Sequence, residues 1–216
     1  MQADVAKQLM QVYDNCAKCE AQGYTVSVQN RTMQDYLRFT MLKFYVYLAS
    51  SNGNISMQEI AYLNDALGYT MSAEQIDRFN VSSKITKYSL KDNMITMMMP
   101  FLKMDLETQP IGGMSLAFIE FINQAGLDFM TLDGGKPDPF IMRDLGALVL
   151  ALRNFRMEYI TNWEAMVRDC VHPDGFLGWV QGTGKDPSAG QPLSYTKVPD
   201  FEDYGTGCFL LGGAEY

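Results

Sequence analysis

The chain has 216 residues, 47% of them hydrophobic, and 17 Lys and Arg set against 25 Asp and Glu give a net charge of −8. That length and apolar content suffice for a buried core, while the acidic balance disfavours attraction to nucleic acid or to an anionic membrane surface, so neither is expected as a partner. The stretch Met1-Gln2-Ala3-Asp4 lacks a basic run followed by an apolar one, which points to the cytoplasm, and the four cysteines are expected as free thiols.

Composition changes near residue 161. Residues 1–160 hold 15 of the 16 methionines, whereas the last 56 positions hold 9 of the 18 glycines and 4 of the 8 prolines. Two kinds of sequence are thus joined, with the boundary at Tyr159 to Trp163: a helical domain over 1–160, and a segment over 161–216 not expected to fold alone.

The predicted elements follow in chain order. Val5, Leu9, Val12, Cys16 and Cys19 recur at helical spacing, so a first helix is expected over 3–21, broken by Gly23. Thr25 to Val28 reads as a loop, since one short extended run without a partner makes a poor sheet. From Met33 to Ser50 hardly any polar face remains, and this helix should be enclosed by others on most sides. After the turn Ser50 to Ile55, Ser56 and Glu59 form a capping box that starts a helix at Met57; Gly68 ends it. A second box, Ser72 with Gln75, starts a short helix carrying Ile76 and Phe79. Between Asn80 and Pro110 the pattern weakens; one helix near 89–98 is expected, with Pro100 as a limit. Ile111, Met114, Phe118, Phe121, Ile122 and Ala125 line a helix running to Met130. Asp138 then caps a helix with Pro139 at its first position and Leu145, Leu148, Val149, Leu152 and Phe155 on its inner face.

The turns at Asn52-Gly53 and Asp133-Gly134 each join a long apolar helix to a capped amphipathic one, so the domain reads as a pseudo-repeat of helix-turn-helix units. The apolar helix, the two turns, Ile55, Glu59 and the Leu63 to Gly68 end resemble the tellurite-resistance TerB-like helical domains, over roughly residues 33–160. The resemblance implies an all-α fold, a compact helical bundle, with polar groups of the two turns as weak site candidates: Asn52, Asn54, Glu59 and Asp133. Two positions depart from that pattern: Asn52 stands where an aspartate is expected, and Phe140 where the first copy has Glu59.

Behind it, a Gly/Pro-rich tail of loops and short helices is expected, with Trp163, Met166, Val167 and Cys170 as one more helix. His172 to Gln181 (His-Pro-Asp-Gly-Phe-Leu-Gly-Trp-Val-Gln) and Asp200 to Leu211 resemble the C-terminal end of the unsaturated glucuronyl and rhamnogalacturonyl hydrolases. That resemblance covers about 165–216 and implies a glycoside hydrolase of (α/α)6-barrel fold that hydrates a 4,5-unsaturated uronic acid with an aspartate as acid and base. The family's catalytic aspartates have no counterpart in residues 1–160, so no catalytic residue is carried over. Trp179, Gln181, Tyr195, Tyr204 and His172 remain candidate sugar contacts.

Other constellations read as structure. Cys16 and Cys19 with Cys170 and His172 supply zinc-type donors, but both cysteines of the pair lie on an apolar helix stripe, so buried free thiols are expected and no metal is assigned. Gly113-Met114-Ser115 lacks the preceding strand of a nucleophile elbow. Gly182-Thr183-Gly184-Lys185 is followed by Asp186 where a phosphate loop has Ser or Thr, and a calcium loop ending at Glu59 would begin at Leu48. No cofactor is expected. The reading that results is a non-enzymatic helical module binding an unknown protein partner, with a carbohydrate-active protein as the alternative.

Overall fold

Among the described residues, three capping boxes, a glycine C-cap and a run of apolar stripes mark out the helices. The apolar stripe of the first segment folds as α1 (Ala3–Ala21), burying Val5, Leu9, Val12, Cys16 and Cys19. Gly23 follows at φ +83°, in the left-handed region. Next comes α2 (Met33–Ser50), in which Leu37, Met41, Phe44 and Tyr45 are wholly buried. The Ser56 and Glu59 box starts α3 (Met57–Leu67), which Gly68 ends at φ 66°. The Ser72 and Gln75 box starts α4 (Ala73–Ser83). After α5 (Lys87–Leu106) come α6 (Met114–Met130) and α7 (Pro139–Cys170).

This computed structural model describes residues 1–26, 31–50, 55–108, 110–132, 134 and 136–170, with side chains described only as far as Thr161. All regular structure among them is helical, so the fold class is all-α. The chain divides into two units between Arg156 and Met157. Trp163 to Cys170, expected as a separate helix, continue α7 without a break.

Within the first unit α2 is the hub, packing on α1, α3, α4, α5 and α6, while α6 also lies along α1 and α5. The pseudo-repeat is present as order: α2 then α3, and α6 then α7, each an apolar helix followed by a second helix. Tyr45, Tyr62 and Phe129 form a buried aromatic triangle, with ring centroids 4.9 to 5.5 Å apart. Gly126 lets α7 approach α6, because a β-carbon there would lie 2.8 Å from Leu145 Cδ2 and 3.1 Å from Phe44 Cζ.

The expected limit at Pro100 is corrected. α5 passes straight through it, from Lys87 to Leu106. An interior proline costs a helix about 3 kcal/mol. Met97 and Met98 before it, and Phe101 and Leu102 after it, are wholly buried, and each such side chain contributes roughly 1.5–3 kcal/mol. Burial on both sides therefore outweighs the proline. The earlier start at Lys87 comes from a third capping box, Thr86 with Ser89. The sixth helix begins later than its apolar stripe suggested: Ile111 lies outside α6, whose N-cap is Gly113.

Candidate functional site

Of the predicted polar turn residues, Glu59 lies among the described residues. Glu59 is 8% exposed. Its Oε2 accepts the Ser56 amide at 2.7 Å, and its own amide donates to Ser56 Oγ at 3.2 Å. This carboxylate is engaged as a helix cap. Asn52, Asn54 and Asp133 lie outside the described residues, as do Trp179, Gln181, Tyr195, Tyr204 and His172.

The carboxylates that organise the unit are ones sequence reasoning missed. Asp105, near the end of α5, accepts the Met114 amide at 2.7 Å and the Ser115 amide at 2.9 Å, so it caps α6 from outside. Asp128, near the end of α6, accepts the Gln2 amide at 3.0 Å at the start of α1 and the Tyr62 hydroxyl at 2.8 Å. Glu20, near the end of α1, accepts the Met33 amide at the start of α2 at 2.6 Å. An acid in a last helical turn opposes that helix's own dipole but favours the amino end of its neighbour. That misplaced sign was the available signal.

Ser115 is wholly buried. Its hydroxyl donates to Asp105 and accepts from Arg156 Nε at 2.8 Å, while Arg156 also reaches the Gly112 carbonyl at 3.3 Å. That serine is a buried helix residue held between an acid and a guanidinium. Cys16 and Cys19 are unpaired and wholly buried. Burial, then the charges of Asp105 and Glu20, pushes the Cys19 thiol up to about 12. Its Sγ donates to the Pro100 carbonyl at 3.6 Å. No group of three or more His, Cys, Asp or Glu placed to hold a metal ion occurs among the described residues.

Among the described residues, a groove lies between the first turns of α5 and the first half of α7. It has a volume of about 230 Å³ and is lined by Lys87, Tyr88, Lys91, Asp144, Ala147, Leu148 and Ala151. On α7 these positions stand at i, i+3, i+4 and i+7, one helix face. Phe140, one turn earlier on α7, is 69% exposed, and Tyr88, on the α5 side of the groove, is 67% exposed. Asp144 is held from below: the Tyr47 hydroxyl donates to its Oδ2 at 2.8 Å. Burial first, then that hydrogen bond and charge, pushes Tyr47 up to about 12. Neither Lys87 nor Lys91 is ion-paired among the described residues. Chemically the groove offers an apolar floor, two alanines that admit a close backbone, two ammonium groups and one fixed carboxylate.

No protein-family model matches the chain, and no solved structure matches it. Among curated proteins it is similar to the unsaturated 3S-rhamnoglycuronyl hydrolase of Formosa agariphila, 42% identical over 53 residues, which is 24% of this chain and 12% of that protein. The chain thus spans about an eighth of the length of the curated relative it matches. No helix among the described residues is long and apolar enough to cross a membrane.

Proposed function

We propose that the helical unit is a cytoplasmic, non-enzymatic interaction module of TerB-like kind, and that its docking face is the groove between α5 and α7. The observation that carries this reading is the division of polar groups: Asp105, Asp128, Glu20 and Glu59 are taken up in helix caps, whereas Lys87, Lys91 and the exposed Tyr88 line an open groove. Exposed aromatic and cationic side chains round small residues are features of helix-accepting grooves. A photo-crosslinking residue at Ala147 in the full-length protein should capture one defined protein partner, and the same probe at Val81, exposed on α4, should not. Equal capture at both sites, or at neither, would overturn the assignment.

The comparison favours a second reading, a carbohydrate-active protein. The 53 matched residues are close in number to the segment 165–216 that resembles hydrolases of unsaturated uronic acids. In that reading Trp179, Gln181, Tyr195, Tyr204 and His172 contact the sugar. It predicts that the full chain removes the ultraviolet absorbance of an unsaturated uronyl disaccharide. The module reading predicts an unchanged absorbance, since the acid and base aspartates that such hydration needs have no counterpart in residues 1–160.

A further inference from the structure

The Phe39 ring of α2 carries two cations: Arg31 Cζ lies 4.8 Å and Lys43 Nζ 4.6 Å from its centroid. Phe79 of α4 holds the ring in a T-shaped contact at 6.0 Å, so the platform is fixed. Lys43 also reaches α5, donating to Asn93 Oδ1 at 2.8 Å. Because an ammonium has only donors, Asn93 must turn its oxygen toward Lys43, which leaves its Nδ2 hydrogens available to an acceptor. We propose that Arg31, Lys43 and the Asn93 amide form a binding site for a phosphate group, free or carried as a monoester.

Three observations support this. In a chain with 25 acidic residues against 17 basic ones, neither Arg31 nor Lys43 is ion-paired among the described residues. Lys43 is pushed below the ordinary lysine range first by burial and then by the Arg31 charge, with no carboxylate among the described residues opposing it. A bound anion relieves both effects, since it neutralises the repulsion and supplies hydrogen bonds that burial has taken from water. The donors also differ in kind, a guanidinium fork, an ammonium and an amide. The several oxygens and near-double charge of a phosphate can engage all three, whereas a carboxylate has only two oxygens to share among them.

The test is a titration of the full-length protein with inorganic phosphate and, separately, with phenyl phosphate and glucuronate, at constant ionic strength. The Asn93 side-chain amide in ¹⁵N spectra is the reporter. A saturable shift with phosphate or its ester is expected, and the tighter of the two identifies the natural form. Lys43→Gln and Arg31→Gln should each weaken it about tenfold or more, while Lys84→Gln, at an exposed site, should leave it unchanged. Lys43→Arg should retain binding, which separates loss of charge from loss of fold. A shift that stays linear to saturating salt, or that is unaltered in Lys43→Gln, would overturn the site. Glucuronate binding as tightly as phosphate would overturn the phosphate assignment.

Discussion

Asp105 holds Ser115 twice: its Oδ2 accepts the Ser115 amide at 2.9 Å and also the Ser115 hydroxyl. The end of α5 is thereby pinned to the start of α6, and Gly112 is pressed so close that a β-carbon would lie 2.6 Å from Asp105 Oδ1 and 3.1 Å from its Cα. Asp105→Asn should cost about 1–3 kcal/mol, because it exchanges a charged acceptor for a group that leaves buried donors poorly satisfied. Gly112→Ala should cost about 1–3 kcal/mol by overpacking against backbone that cannot yield. Both act on one cap, so urea unfolding of the double variant should show less than the sum of the two.

Phe44 is wholly buried where α2 meets the Gly126 notch of α6. Phe44→Ala should destabilise the protein by about 3–5 kcal/mol. A melting shift no larger than that of an exposed substitution would contradict the position of α2 at the centre of the unit.

The buried thiols and tyrosines titrate upward, which fixes the sign of an alkaline effect. Thiols of the unfolded chain ionise near 9, whereas native Cys19 holds its proton until about 12 and Cys16 is raised as well, both chiefly by burial. Tyr45 and Tyr62 are likewise raised, again first by burial. Above about pH 9 the unfolded state therefore binds fewer protons than the native one, so stability falls as pH rises toward 12 and is unaffected by these groups below pH 8. The urea midpoint measured from pH 7 to 11 should follow that course. Peptide-resolved alkylation at pH 8 should leave Cys16 and Cys19 unmodified until denaturant is added.

The groove residues should separate binding from folding. Ala147→Glu, at an exposed position of α7, should change stability by no more than about 0.5 kcal/mol yet abolish crosslinking from a probe placed at Tyr88. Tyr47→Phe, which removes the hydrogen bond beneath Asp144, should cost about 0.5–1.5 kcal/mol.

What could be read from the sequence depended on how far apart the interacting residues lie. The starts of α3, α4 and α7 were legible because Ser56 with Glu59, Ser72 with Gln75, and Asp138 are local signals. The true start of α5 was not, since its box uses Ser89 in place of Glu or Gln, and Pro100 argued for an end that burial of its neighbours overrode. The candidate site was less legible still. Glu59 was read both as a cap and as a site candidate, and the structure shows the cap. The groove exists only where Lys87, Tyr88 and Lys91 come beside a small-residue face of another helix, and no periodicity within either segment announces that meeting.

The three carboxylates that cap neighbouring helices also imply an order of events during folding. Glu20 reaches Met33 across 13 positions and Asp105 reaches Met114 across 9, but Asp128 reaches Gln2 across 126. Closing a longer loop carries a larger entropic cost, and such distant contacts form after local ones. On a chain emerging from the ribosome amino end first, α1 waits with that amide open until α6 has been made. Hydrogen exchange during refolding should accordingly protect the start of α6 before the start of α1, so α1 is completed only once α6 is in place.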